Sequence, residues 1–600
     1  MLRLAALFSA HMVVQSGQTL PIWGWADPGD KITVSLAGEA GEAVAGQDGR
    51  WQAMLKPLKA GGPYTLLVQG KESLKVEDVL AGEVWLCSGQ SNMAFDLNQS
   101  DHFKEDGPSF NDPQVRLFSV PNRAEEAPLT DLKSQWRVQT PEESRGFSAV
   151  ALYFAKQLRQ ELKVPVGLVA SHWGGTMIES WTSPEALQAD ADNAPYFKWA
   201  KKIKPTLVSG PFQFEVRNVR WSGKKPETLD LKQPQLWVDA VSEGKAEGLG
   251  VSGRLGVGGW VSLRQDLKHD GKALDARAFD GLEFEAKGTG RLNVIFNQAS
   301  QGDWGFHISP DLSLGADWKT YKVPFNDFLV PWGGTWPPPA EALESVSFTK
   351  GDLGFPTQPS ELYNGMIAPL RPLAMRGVCW YQGESNAQRP GHYAKQLPIM
   401  IQDWRQQFAN PDLGFLAVQI AGYGAPQDQP GEVEWANLRE AQLKVLSLPR
   451  TGLAVAIDVG DEKDIHPKNK REVGRRLALQ ALQKIYGKKI VASGPLFQKL
   501  ELKAGQAKVT FDLDGSKLAS KKPGEALKGF ALAGADKHFV WANAKIEGNS
   551  VILTAPGIEH AEAVRYAWAG HPDCDLVNSE GLPAVPFRTD TWPIADKVWE

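Results

Sequence analysis

Four polar, mostly glycine-bearing segments each follow an apolar run of strand length. Glu83-Val84-Trp85-Leu86-Cys87 leads into Ser88-Gly89-Gln90-Ser91-Asn92-Met93. The run from Val164 to Ala170 leads into Ser171-His172-Trp173-Gly174-Gly175-Thr176. Met375 to Tyr381 leads into Gln382-Gly383-Glu384-Ser385-Asn386, and Leu453 to Ile457 precedes Asp464-Ile465-His466-Pro467. Continuous apolar runs of this length read as strands buried on both faces, the habit of parallel sheets. Between them, apolar residues recur at three- and four-residue spacings, which is one face of a helix. Phe147, Val150, Ala151, Phe154, Leu158 and Leu162 form one such face. Tyr393, Leu397, Met400, Ile401, Trp404 and Phe408 form another, with Pro398 kinking its start. A helix around Trp435 to Leu446 follows. Val473, Leu477, Ala481, Leu482 and Ile485 close the unit, with Pro467 suited to the first turn. The expectation is an α/β domain with a parallel sheet, whose ligand lies outside the carboxyl ends of the strands.

The alternation stops twice and is absent at both termini. Residues 1–80 are short apolar runs separated by Gly, Pro and Asp, which predicts an N-terminal β-sandwich. The α/β pattern occupies 81–205 and returns at 368–488. Residues 206–367 carry alternating segments such as Leu292-Asn293-Val294-Ile295-Phe296, so a jelly-roll-like β-domain is expected to be inserted there. Residues 489–600 again predict a β-domain.

A chain of 600 residues is too long for one core. Net charge of −5 and pI near 6.1 leave no basic stripe for nucleic acid. No run reaches the roughly 18 apolar residues of a membrane helix. Met1 to Phe8 is short for a signal peptide and is read as a first strand, any native signal being absent from this sequence. Cys87, Cys379 and Cys574 make no disulfide framework. No His, Cys and carboxylate cluster has metal-ligand spacing, so neither a metal nor a cofactor is expected. Tryptophan is abundant, at 22 residues. Trp304, Trp318, Trp332 and Trp336 stand in polar, Gly/Pro-rich surroundings, where an indole face can stack on a sugar. The loop Trp332 to Pro337 is the candidate wall of a sugar cleft.

The chemistry rests on the four strand ends together, because Ser91 in a turn or His466 beside a helix would be ordinary taken singly. Acyl transfer needs a nucleophile, a base, an orienting acid and oxyanion donors. Ser91 can attack, His466 can take its proton, and Asp464 can set the imidazole tautomer. Gly175 offers an unobstructed backbone N–H, and Gln382 or Asn386 offers a side-chain amide. Gln90 and Asn92 flank the nucleophile. A glycosidase would need two carboxylates about the scissile bond. Glu384 and Asp464 fit that role only if Ser91 and the Gly175 turn are left idle. A non-catalytic lectin suits the many Trp residues but needs neither Ser91 nor His466.

The segments GEVWLCSGQSNM, SHWGGTMIESW, WYQGESNA and DIHPKNKREVGRRLAL resemble the SGNH (GDSL-like) hydrolase superfamily, in its sialate O-acetylesterase-type branch of carbohydrate acetylesterases. The inserted β-sandwich resembles that of bacterial acetylesterases acting on plant polysaccharides such as xyloglucan. The resemblance implies a flavodoxin-like three-layer sandwich, Ser91 as nucleophile and His466 as base, and an acetylated carbohydrate as substrate. It also implies an extracytoplasmic location. The sequence departs from the superfamily in two places. The Asp expected three residues before His is Lys463, with Asp464 two before. The Asn expected in the third block is Ser385. The acid is therefore Asp464 or Glu384, and the amide of the oxyanion hole (with Ser91 and Gly175) comes from Gln382 or Asn386.

Overall fold

The structure is a computed structural model. It describes residues 1–202, 358–597 and 599 and, between them, 210–223, 226–229, 231, 234–238, 242–255, 260–268, 272–298, 306–332 and 343–351. The chain forms two compact units, Met1–Trp199 with Gln358–Glu600, and Ala200–Thr357.

The first unit is built on a parallel sheet. Its strands are β1 (Ser73–Gly89), β2 (Val115–Ser119), β3 (Val166–His172), β4 (Gly377–Tyr381), β5 (Gly414–Gln419) and β6 (Thr451–Val455). They lie in the order β2-β3-β1-β4-β5-β6, every pair parallel, with the short strand Arg137–Val138 antiparallel at the β2 edge. Successive side chains of a strand point to opposite faces, and here both faces are covered. Val84, Leu86, Val378, Trp380, Phe415 and Ala417 pack on helices α2 (Pro390–Gln407) and α3 (Glu434–Gln442). Trp85, Cys87, Cys379, Tyr381, Leu416 and Val418 pack on α1 (Ala149–Leu162) and α4 (Lys470–Gln480). Burial on both sides is why these strands read as unbroken apolar runs. Each such large side chain contributes about 1.5–3 kcal/mol of transfer free energy. Cys87 and Cys379 face one another in register as buried free thiols.

Helix ends follow local chemistry. Ser148 caps α1 by accepting from the Ala151 N–H, and α1 stops at Lys163 in the left-handed region. Asn469 caps α4 by accepting from the Glu472 N–H. That helix thus begins three residues past Pro467, which lies in the loop and not in the first turn. Pro398 falls inside α2, while Pro390 occupies its first turn.

Strand β1 is shared between two sheets. Its first half pairs antiparallel with Gly61–Gln69, and Leu80–Gly82 pairs parallel with Val13–Gln15. Arg3–Leu4 is the first strand and pairs with Gly24 and Trp25. The C-terminal strands from Leu496 onward form antiparallel sheets whose core (Val509, Phe511, Phe530, Leu532, Val564, Phe587) includes Val455 and Ile457 at the end of β6.

The second unit holds two antiparallel sheets on one core. Phe214, Trp221 and Phe284 of one sheet meet Val294, Phe296 and Phe348 of the other, and the Phe284 and Phe348 rings cross edge to face at 5.0 Å. Trp318 lies under Arg217 and Lys287, at 4.0 and 4.9 Å from its ring centre. The backbone of Trp332 ends the strand Leu329–Trp332. Its side chain, with Trp304 and Trp336, falls outside the described residues. No described helix is long and apolar enough to cross a membrane.

Candidate active site

Three strand ends converge on Ser91. Gly89 closes β1 at φ +136°, and a Cβ there would stand 2.1 Å from the Tyr381 carbonyl oxygen of β4. Only glycine permits that approach. The Gln90 N–H then donates to the same carbonyl at 3.0 Å, and the chain turns into the short helix Ser91–Ala94. From β3, the Trp173 N–H donates to the Gly89 carbonyl at 3.0 Å. That bond lays the glycine turn beside Ser91: a Cβ on Gly174 would lie 3.2 Å from the Ser91 Cβ. Gly175 follows at φ +70°.

His466 arrives on the loop between β6 and α4. Its Nε2 lies 2.8 Å from Ser91 Oγ, its ring stacks on Phe95, and it is 9% exposed. Asp464 Oδ1 stands 3.3 Å from His466 Nδ1 and accepts the His466 backbone N–H at 2.8 Å. Asp461 Oδ1 accepts the N–H groups of Lys463 and Asp464, at 2.8 and 3.1 Å, and so shapes this turn. With a proton on Nδ1 facing Asp464, Nε2 accepts from Ser91 Oγ.

Glu384 lies in the same region but in different surroundings. It is buried, and burial pushes its carboxyl above the usual range. Its Oε1 accepts from Asn92 Nδ2 at 2.6 Å, and its Oε2 has no partner among the described residues. Asn92 Nδ2 also donates to the Ile465 carbonyl at 3.1 Å, and Asn92 Oδ1 accepts from Lys470 Nζ. Lys470 is fully buried over the Phe95 and Tyr381 rings, and burial lowers its ammonium to about 7. Gln90 Oε1 accepts from the Gly383 and Ser385 N–H groups at 3.3 and 3.4 Å, which ties the Ser91 turn to the third segment.

Gln382 and Asn386 face inward. Gln382 Nε2 donates to the Thr176 carbonyl at 3.0 Å and to Asn386 Oδ1 at 2.7 Å. Asn386 Nδ2 donates to both Glu179 oxygens, at 3.2 and 3.0 Å, and its Oδ1 accepts the Ile178 N–H. In this arrangement both amide hydrogens of Gln382 are bonded within the fold, so it offers no donor to an oxygen at Ser91, and the Asn386 amide is turned toward Glu179. The sequence pattern located both residues at the rim but could not show that each finds its partners inside. Glu179 is wholly buried. Burial alone would raise its carboxyl, and His392 and Asn386 together bring it below the usual range. His172, at the end of β3, is lowered to about 4 by burial and stays neutral at neutral pH.

Reading the sequence singled out neither Lys470, Glu179 nor Asp461. Lys470 stands four residues beyond His466 and Glu179 four beyond Gly175, so both lay inside segments already marked. Their signal was a charge placed where a buried residue had to be.

The chain is similar to proteins of known family. A family model described as "Carbohydrate esterase, sialic acid-specific acetylesterase" matches residues 81–237 and 344–483. The sialate O-acetylesterase of Mus musculus is 27% identical, over 98% of this chain and 94% of the mouse protein. That of Homo sapiens is 25% identical, over 98% and 92%. A carbohydrate acetylesterase from Xanthomonas citri, solved by crystallography, superposes with a TM-score of 0.69 at 32% identity, over 98% of this chain and 100% of that one.

Proposed function

This chain belongs to the carbohydrate acetylesterase family of sialate O-acetylesterase type and is a carboxylic ester hydrolase, and from that premise we propose a serine mechanism acting on O-acetylated sugars outside the cytoplasm. The observation that supports it most is the 2.8 Å contact between Ser91 Oγ and His466 Nε2, made by residues 375 positions apart.

Ser91 Oγ attacks the acetyl carbonyl carbon while its proton passes to His466 Nε2. The carbonyl oxygen gains the charge and is held by the backbone N–H groups of Ser91 and Gly175. A third donor from Gln382 would require its amide to leave Thr176 or Asn386. The tetrahedral adduct collapses as the C–O bond to the sugar breaks and His466 returns its proton to the departing sugar oxygen. Water then attacks the acetyl-Ser91 carbonyl, with His466 as base, and acetate leaves. Asp464 holds the Nδ1 proton and balances the charge on the imidazolium.

The preferred substrate in this reading is an acetylated plant oligosaccharide such as one from xyloglucan. The sialate O-acetylesterases among the relatives support 9-O-acetyl sialic acid as the second reading. Acetate release from both decides between them. Ser91→Ala should abolish release while leaving the fold intact, and a serine-directed phosphonate should label wild type at Ser91. Hydrolysis by Ser91→Ala near the wild-type rate would overturn the mechanism. An unlabelled wild type without acetate release would make this a sugar-binding protein.

A further inference from the structure

The residue after the nucleophile holds the residue before the base. Asn92 Nδ2 donates to the Ile465 carbonyl at 3.1 Å, and the peptide unit that carries this carbonyl also carries the His466 N–H, which donates to Asp464 Oδ1 at 2.8 Å. The Ile465–His466 peptide plane is thus gripped at both ends, by Asn92 and by Asp464. The amide of Asn92 is itself oriented. Lys470 Nζ donates to Oδ1, and as an ammonium it has no lone pair with which to accept, while Glu384 Oε1 takes a hydrogen of Nδ2 at 2.6 Å. Flipping the amide would turn Nδ2 toward an ammonium and Oδ1 toward two acceptors. The contacts of Asn92 with Glu384 and Lys470 are buried, where an unmade hydrogen bond costs most.

We propose that Asn92, oriented by Lys470 and Glu384, is a positioning residue that holds the His466 peptide so that the imidazole meets Ser91. It touches neither substrate nor the reacting atoms, and it ties Glu384 to the site without making it the triad acid. The proposal rests on the serine mechanism above. A one-ångström misplacement of a base costs on the order of 100-fold in rate, and that is the size of effect expected.

The test is kinetic, on the full chain, with p-nitrophenyl acetate. Asn92→Ala should lower kcat by about 100-fold with KM nearly unchanged. In a His466→Ala background it should lower the residual rate no further, because a residue acting only through His466 has nothing left to position. Asn92→Asp keeps the shape but turns an acceptor toward Glu384 and Ile465. It should lose kcat similarly, and it decides the matter if the alanine variant does not fold. Either variant working near the wild-type rate would overturn the proposal, as would a loss by a folded variant that multiplies with that of His466→Ala. A His466→Ala enzyme as active as wild type would instead fail the serine mechanism itself, and so is told apart.

Discussion

Asp464 and Glu384 are two carboxylates held in opposite conditions. The Asp464 side chain is 43% exposed and stands 3.3 Å from His466 Nδ1, whereas Glu384 is buried, raised by burial and bonded to Asn92. A carboxylate that must stay charged beside an imidazolium is better served by the first setting. Both contacts of Asp464 with His466 run through the one oxygen, Oδ1. Asp464→Ala, which removes that acceptor, should therefore lower kcat by at least about 100-fold. Asp464→Asn loses the charge and brings an NH2 that can reverse the imidazole tautomer, and should lower kcat by orders of magnitude as well. Glu384→Gln should be milder than Asp464→Ala at equal melting temperature. The reverse ranking in steady-state rates would transfer the acid role to Glu384.

At the scale of elements, the loop that carries His466 depends on where β6 ends and α4 begins, and a buried charge cluster joins them. Arg476 of α4 donates to the Val455 carbonyl, to both Asp458 oxygens and to Glu472, and Lys521 of the C-terminal region reaches Asp458 as well. Burial by itself would raise the Asp458 carboxyl, but Arg476 and Lys521 overcome it and hold it below the usual range. A folded-state value depressed below the unfolded one adds stability above about pH 4, and that stability is lost as pH falls through the folded value. Asp458→Asn should cost about 1.5–3 kcal/mol at pH 7, because it removes one of the two carboxylates that pair with the buried Arg476 and leaves only Glu472. Its melting temperature should approach that of the wild type as pH drops below about 4. A deficit unchanged across that range in thermal scans would count against the account.

At the scale of the whole molecule, one buried side chain helps to fasten the C-terminal region to the strand-end rim. Arg439 of α3 is fully buried and donates to the carbonyls of Ile420 and Ala421, just past β5, and of Ala569 and Gly570, at 2.7 to 3.0 Å. Burial lowers its guanidinium to about 9. Arg439→Met would leave the Ile420 and Ala569 carbonyls short of a donor, while Ala421 keeps Trp435 Nε1 and Gly570 keeps the Tyr423 N–H. Each orphaned carbonyl costs about 1–3 kcal/mol, offset in part by removing a desolvated cation. The expected net loss is about 3 kcal/mol, read as a lower urea midpoint. A midpoint equal to wild type would mean that the two regions hold together without the clamp.

The amino-acid pattern alone determined the alternation of buried strands and amphipathic helices, and with it the rim on which Ser91 and His466 stand. Burial on both faces leaves its mark residue by residue, as the strand from Val84 to Cys87 shows, and a parallel sheet then sends every strand end to one side. The pattern also marked the turns that hold Gly89 and Gly174, and the structure supplies the reason at Gly89, where a Cβ would meet the Tyr381 carbonyl. What the sequence could not decide is which polar groups find each other once the loops close. Gln382 and Asn386 stand at the rim by strand position, yet Thr176 and Glu179, more than 200 positions away, take their amide hydrogens. Asn92 meets Lys470 across 378 positions. Hydrophobic periodicity is written locally and survives in any fold that buries the same face. The direction of a buried amide depends on partners brought from elsewhere in the chain, and only the tertiary structure chooses them.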